Sequence, residues 1–315
     1  MSTALVDFAG EIGESGPVRV AGGRTQWDVG GAAPAGVREV RPPVGQVAHE
    51  PAEMVARVTA GTTLEELRAV LAEGGQDVAL EADDPVRATV GGILAVGRSG
   101  YRRLGRGPVR DAVLEITAVG AAGQVIRSGA PLVKNVTGFD LCRLLVGSLG
   151  TLALLGEVVL RCYPKPETEV WWRGDGADPF AVSAALYRPL SVLWDGTSTW
   201  VGLAGYADAV ETQAETVLGG AFVRVDGPPL KPGSDRLSRP PGTLRRLPGE
   251  TGPTGDWLAE VGVGVVHCTA AVARRVGPRP LPAAPVADLH AALKERFDPA
   301  GRLNPGRAVL AGGGG

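Results

Sequence analysis

A glycine- and hydroxyl-rich stretch in mid-chain constrains the fold most. Lys134-Asn135-Val136-Thr137-Gly138-Phe139-Asp140, then Gly147-Ser148-Leu149-Gly150-Thr151-Leu152, lead into a nearly continuous apolar segment, residues 152–163. Glycines let main-chain N–H groups approach a bound phosphate with no side chain intruding. The opening Lys134 and Asn135 are polar where a segment serving only the core would be apolar. A nucleotide-type cofactor is the first expectation.

Two further glycine/threonine loops support it. Residues 17–20 read as a short strand running into Ala21-Gly22-Gly23-Arg24-Thr25-Gln26-Trp27, which offers successive N–H donors and a hydroxyl to an anion. An ordinary tight turn accounts for the same letters. Thr89-Val90-Gly91-Gly92 opens a small-residue helical turn; the bland alternative is a bend that packs two elements together. With 47 glycines in 315 residues, any one such loop arises by chance. Three of them with hydroxyls attached, in one half of the chain, favour a dinucleotide site. Neither G-x-G-x-x-G nor the P-loop Gly-Lys-Ser/Thr is present, so the expected cradle is several loops of an α+β domain.

The remaining segments organise around these loops. Residues 52–60 alternate as a strand, with Met54, Ala56 and Val58 on one side. Thr63-Leu64-Glu65-Glu66 is a capping box, and Leu64, Leu67 and Leu71 form a helical stripe ending at Gly74-Gly75. Residues 97–107 make a basic loop carrying Arg98, Arg102, Arg103 and Arg106, and residues 112–119 and 124–128 a hairpin. Pro164-Lys165-Pro166 marks a boundary. Beyond it the order strand, helix, strand, strand, helix, strand over residues 170–225 is the ferredoxin-like split unit. Residues 227–255, rich in Pro and Gly, read as a long excursion, residues 261–267 as a strand, and residues 286–297 as an amphipathic helix before a disordered tail. The fold class expected is α+β: residues 1–167 a cofactor domain, 168–284 a ferredoxin-like cap, and 285–315 a helix and tail returning to the first domain.

A net charge of −2 gives no reason to expect nucleic-acid binding. Cys142, Cys162 and Cys268 are few, distant and set in apolar sequence, which reads as buried thiols in a reducing compartment, not a disulfide frame or metal site. The acidic start (Asp7, Glu11, Glu14) does not read as a signal peptide, and no apolar run reaches the roughly 20 residues a spanning helix needs. A cytoplasmic location is expected. His49, His267 and His290 are the three histidines; His267 and His290 read as structural. Arg245, Arg246, Arg274 and Arg275 suit a carboxylate, although solvated charge explains them equally well. No catalytic residue is assigned and no metal is expected.

These motifs resemble the vanillyl-alcohol-oxidase-type (PCMH-type) FAD-binding flavoproteins, and within them the FAD-binding subunits of glycolate oxidases. The likeness rests on residues 20–26, His49-Glu50-Pro51, Val58-Thr59-Ala60-Gly61-Thr62, Thr89-Val90-Gly91-Gly92, Ser99-Gly100-Tyr101-Arg102-Arg103, Val109-Arg110-Asp111 and residues 134–151. It extends to Pro241-Gly242-Thr243-Leu244 and residues 298–306. The resemblance implies FAD contacts from Ala21, Gly22, Gly23, Arg24, Thr25, Gln26, Asp83, Thr89, Gly91, Gly92, Ser99, Gly100, Asn135, Gly138, Ser148, Gly150 and Thr151. It also implies a small 2-hydroxy acid as substrate, and partnership with a larger FAD-containing catalytic subunit and an iron–sulfur subunit. Arg24 stands where a third glycine is common, Leu149 where an acid is common, Phe139 where tyrosine is common and Ala153 where glycine is common. No histidine lies in residues 20–30 or 97–107, so the FAD is expected to be non-covalent.

Overall fold

The computed structural model describes residues 2–32, 34–45, 47–130, 141–251, 255–276 and 284–307. It divides into two compact units. The first comprises residues 1–100, 108–165 and 281–311; the second comprises residues 101–107, 166–280 and 312–315. The basic segment 101–107 therefore groups with the second unit.

In the first unit, β1 (Val18–Val20) and β2 (Arg38–Val40) pair in parallel as a two-stranded sheet. A larger sheet is built from β3 (Val47–Glu50), β4 (Val55–Thr59), β5 (Gln76–Val78), β6 (Val113–Val119), β7 (Val125–Gly129) and β8 (Leu154–Pro164). Its order is β3-β4-β8-β6-β7, with β5 also pairing to β8. The apolar run at 152–163 becomes β8 because it sits between two neighbours and buries both faces. Ala56, Val58, Ile116, Ala118, Val158 and Leu160 face the main core, where helix Leu64–Glu73 lays down Leu64, Leu67 and Leu71. That helix starts where the capping box places it: Thr63 Oγ1 accepts from the Glu66 N–H at 3.2 Å, and Glu66 accepts from the Thr63 N–H at 2.8 Å. On the opposite side Arg57, Glu115, Glu157 and Arg127 form an ion-pair row across four strands, with Glu115 buried between Arg57 (3.0 Å) and Arg127 (2.7 Å). A second cluster packs Leu5, Phe8 and Ile12 of helix Thr3–Ile12 against Val18, Val40, Val119, Leu154 and Leu303.

The tail returns to this unit through two buried side chains. Asp298 accepts from the N–H groups of Arg302 (3.0 Å) and Leu303 (2.8 Å) and from Lys294. All five guanidinium N–H groups of Arg302 end on main-chain carbonyls: Gly16, Gly13, Ala121, Ile12 and Ser15, at 2.6–2.9 Å. Two of these carbonyls close the C-terminal end of helix Thr3–Ile12, where a cation also meets the negative end of the helix dipole. Lysine lacks the planar fork needed to reach all five.

In the second unit, β9 (Thr168–Asp175), β10 (Ser191–Trp194), β11 (Ser198–Gly205) and β12 (Val223–Val225) lie in the order β12-β9-β11-β10, antiparallel throughout. This is the ferredoxin-like order. Helix Pro179–Ala185 begins at Asp178, whose carboxylate accepts from the Phe180 N–H, and helix Ala207–Gln213 continues as a π-turn through Leu218. Leu186, Val210, Ala214 and Leu218 bury against Val170, Trp172, Val192, Val201 and Leu203. The sheet then continues with β13 (Asp235–Ser238), β14 (Trp257–Glu260) and β15 (Val265–Cys268), in the order β14-β15-β13.

Several expectations are corrected here. Residues 227–255 are not a bare excursion: they supply β13, a 3₁₀ turn Pro241–Arg246 and helix Leu247–Thr251, with Leu237, Leu244 and Leu247 buried beside Trp257. Residues 261–267 are not one strand, because Gly262 (φ 83°) and Gly264 (φ 86°) turn the chain between β14 and β15. The strand expected from residue 52 starts at Val55; Pro51–Glu53 is a 3₁₀ turn and Met54, at φ 54°, is exposed. Helix Ala284–Phe297 forms, but among its described residues none is fully buried, and Val286 and Leu289 are exposed.

Two outcomes test this packing. Replacing Arg302 with Met strands five carbonyls and is expected to destabilise the chain by about 3 kcal/mol, read as a lower denaturation midpoint with an unchanged slope. Burial pushes the thiols of Cys162 and Cys268 up to about 11, reinforced by Asp77 and Asp235 respectively, and Cys142 is buried too. The native protein should therefore leave all three thiols unreacted with a disulfide reagent at neutral pH, and the denatured protein should react at three.

Candidate functional site

In the first unit an open cleft leaves about 680 Å³ of space unfilled by protein atoms, solvent at its mouth included. Its walls come from four distant stretches: the end of β1 with the 22–29 loop, the start and end of helix Val90–Val96, Leu149, and Asn304, Pro305 and Arg307 of the tail. Of the site residues expected from the sequence, Gly22, Gly23, Arg24, Thr25, Gln26, Thr89 and Gly92 line it together.

The local sequence explains why these stretches meet. A Cβ on Gly23 would stand 1.6 Å from the Arg87 carbonyl oxygen, and one on Gly22 2.3 Å from Thr89 Oγ1. The first loop thus lies directly on the 87–89 segment, an approach only glycine permits. Thr89 caps helix Val90–Val96, its hydroxyl accepting from the Gly92 N–H at 3.2 Å. At the other end of that helix, the carbonyls of Leu94 and Ala95 accept from the amides of Gly147 (2.9 Å) and Leu149 (2.8 Å), so the 147–151 loop closes the helix. Leu149 takes φ 55° to do so.

The donor set of the cleft suits an anion. Among the described residues, the main-chain N–H groups of Gly22, Gly23, Arg24 and Thr25 have no protein acceptor. Successive unsatisfied amides in a turn make a nest for phosphate oxygens. Three guanidiniums surround the Trp27 ring, those of Arg19, Arg24 and Arg307 at 5.3, 5.0 and 5.1 Å from its centre. Burial holds Arg307 below the usual guanidinium value, with Asp28 opposing and Arg19 reinforcing the shift. Burial would raise Glu39, but its bond to Arg24 and the charges of Arg24, Arg19 and Arg41 outweigh that and hold its carboxyl below the usual range. One carboxylate thus balances three arginines beside the cleft. Ala95, Val96, Leu149 and Val29 supply apolar wall. A diphosphate ester joined to flat rings fits this combination of amides, arginines and apolar surface.

The other expected site residues stand behind the cleft wall or elsewhere. Gly91 packs on Ala60, its N–H donating to the Ala60 carbonyl at 2.8 Å, and Ala21 is buried with its N–H on Val40. Gly150 makes room for Asn304, and Ser148 and Thr151 are buried, with the Thr151 hydroxyl donating to the Ser148 carbonyl at 2.7 Å. Ser99 Oγ accepts from the Val109 N–H at 3.0 Å, and a Cβ on Gly100 would meet the Glu81 carboxylate. Asp83 does not line the cleft. Asn135 and Gly138 lie outside the described residues. Arg19, Trp27, Leu149, Asn304 and Arg307 line the cleft without being among the expected contacts; Trp27, Leu149 and Asn304 carried a signal, in the 21–27 loop, the 147–152 stretch and the 298–306 motif, whereas Arg19 and Arg307 carried none.

Outside the cleft, His49 shares a hydrogen bond with Gln76 (3.0 Å) and His267 with the buried Glu260 (2.7 Å). Arg245 pairs with Asp178 and lies 4.0 Å from the Phe180 ring centre, and Arg275 donates to the Thr251 carbonyl. These groups hold their own unit together. Among the described residues no cluster of His, Cys, Asp and Glu is placed to hold a metal, and no helix is long and apolar enough to cross a membrane.

Comparison with known proteins agrees with this chemistry. Residues 4–129 match an FAD binding domain family. The glycolate oxidase subunit GlcE of Escherichia coli (strain K12) is 30% identical over 339 aligned positions, covering 97% of each chain. The glycolate oxidase subunit GlcD of Bacillus subtilis (strain 168) is 44% identical over 82 residues, 26% of this chain and 17% of that one. An alkyldihydroxyacetonephosphate synthase structure superposes with a TM-score of 0.63 at 15% identity, covering 92% of this chain and 71% of that one, a likeness of fold. The chain belongs to the PCMH-type FAD-binding flavoprotein family.

Proposed function

We propose that this chain is an FAD-holding subunit of a complex that oxidises a small 2-hydroxy acid, glycolate or a close analogue, to the 2-oxo acid. The observation that carries the reading is the end-to-end match with a glycolate oxidase subunit, 97% of both chains. The partners proposed are a larger FAD-containing catalytic subunit and an iron–sulfur subunit. Three buried cysteines, none in a disulfide, favour the reducing cytoplasm as its place. Residues 1–167 would hold the cofactor, residues 168–284 serve as the substrate-side cap, and residues 285–315 complete the cofactor domain.

When bound, FAD supplies a two-electron acceptor for the hydride of the alcohol carbon. The amides of residues 22–25 bind its diphosphate, and Arg19, Arg24 and Arg307 neutralise the charge. The 147–151 loop and helix Val90–Val96 shape the apolar side and keep water from it. The FAD is proposed to be non-covalent, a reading supported by the lack of histidine in residues 20–30 and 97–107 of the sequence. The ionisable groups of the cleft lining are arginines, which bind anions and do not accept protons at neutral pH. This favours, as a second reading, an assembly subunit that holds FAD without turning over substrate alone.

The purified chain is expected to be yellow, with one flavin per chain, unbleached by glycolate until the partner subunits are added. Bleaching by glycolate alone would make it a free-standing oxidase, and a colourless chain that still binds its partners would leave only the assembly role. Replacing Gly23 with Ala drives a methyl into the Arg87 carbonyl; FAD affinity is expected to fall at least about tenfold, measured by flavin fluorescence titration.

A further inference from the structure

The tail contributes Asn304 to the cleft wall, yet Asn304 commits its polar atoms to the protein. Its Oδ1 accepts from the Val20 N–H at 3.2 Å and its Nδ2 donates to the Leu149 carbonyl at 2.7 Å. Val20 is the last residue of β1, where the 21–27 loop begins, and Leu149 sits in the middle of the 147–151 loop. One planar carboxamide therefore joins two cleft loops that lie 284 and 155 residues away from it in sequence.

The surroundings are built for that bridge. The Asn304 N–H donates to the Val18 carbonyl at 2.8 Å, and Leu303 bridges in parallel to Val18, so the residue is fixed against β1 by its backbone. Its φ is 43°, a left-handed value that asparagine tolerates better than other residues with a Cβ. A Cβ on Gly150 would stand 2.5 Å from Asn304 Nδ2, so the space for the amide depends on a glycine. Lys294 donates to the Thr151 carbonyl at 2.8 Å, tying the same loop to helix Ala284–Phe297. Only an amide side chain offers one donor and one acceptor at this reach; aspartate keeps the acceptor but turns a second oxygen on the Leu149 carbonyl.

We propose that Asn304 is a positioning residue of the cofactor cleft: its carboxamide sets the spacing between the 22–25 amides and the 147–151 loop, and acts on the ligand only through them. The proposal rests on the reading that the diphosphate of FAD occupies this cleft. It assigns the tail motif a defined task, the clamping of one loop to the other.

Flavin-free full-length wild type, Asn304→Gly and Asn304→Asp are titrated with FAD and, separately, with ADP, which carries the diphosphate without the flavin. Glycine accepts the left-handed φ, so N304G removes the carboxamide without adding backbone strain. Circular dichroism confirms that each titrated sample is folded, so Kd is read on native protein and a loss of stability alone does not move it. The expected result is a rise in Kd of at least about tenfold for both ligands in both variants, the scale of one lost hydrogen bond to a positioned group. Amide exchange at residues 20–26 and 147–151 should also be faster in flavin-free N304G than in the wild type. Variants that bind both ligands within about twofold of a wild type that does bind FAD would overturn the proposal and leave the cofactor reading standing. A folded wild type that binds neither ligand would overturn the cofactor reading, and this proposal with it.

Discussion

The guanidinium of Arg302 holds the two ends of the chain together, and the cleft depends on that junction. With every N–H used on a main-chain carbonyl, it closes helix Thr3–Ile12 and the 13–16 segment while sitting on the tail. Three positions on in the tail backbone, Pro305 becomes cleft wall, and beyond it Arg307 reaches the carbonyl of Val29. A site walled by backbone from four stretches needs such ties, because no single βαβ turn fixes it. Strand pairing between β1 and β2 and the apolar cluster around Ile12 and Leu303 supply the rest of the support.

Charge around the cleft is arranged with similar economy. Arg19, Arg24 and Arg41 all approach Glu39, which keeps the guanidiniums in place and removes part of their mutual repulsion. Trp27 presents its ring to two of them and to Arg307. The local balance stays positive although the whole chain carries −2. Because these side chains are partly exposed, their pull on an anion weakens with salt, whereas the amides of residues 22–25 are fixed dipoles that salt screens less. Under the proposed function, loop geometry would set the affinity more than charge does, and the glycines and the tail shape those loops.

Local rules carried much of this architecture into the sequence. The Thr63/Glu66 capping box and the Leu64, Leu67, Leu71 stripe determine one helix outright, because cap and periodicity act within a few residues. The ferredoxin-like order of β9–β12 follows from element order alone. Motif reading also brought together Gly22, Gly23, Thr25, Thr89 and Gly92. It could not separate glycines that face the cleft from those that face protein: Gly91 meets Ala60 and Gly100 meets Glu81, contacts set by tertiary packing. Strand β13 was hidden in a Pro- and Gly-rich stretch because its pairing with β15 is long-range. The bridging role of Asn304 was invisible for the same reason, since its partners lie far away in the chain.

Amide hydrogen exchange with and without FAD, resolved by residue, tests the central claim most directly. The account predicts that the ligand slows exchange at Gly22, Gly23, Arg24 and Thr25, the donors left without a protein acceptor. Protection that falls elsewhere in the chain while these four amides exchange at the same rate would contradict it.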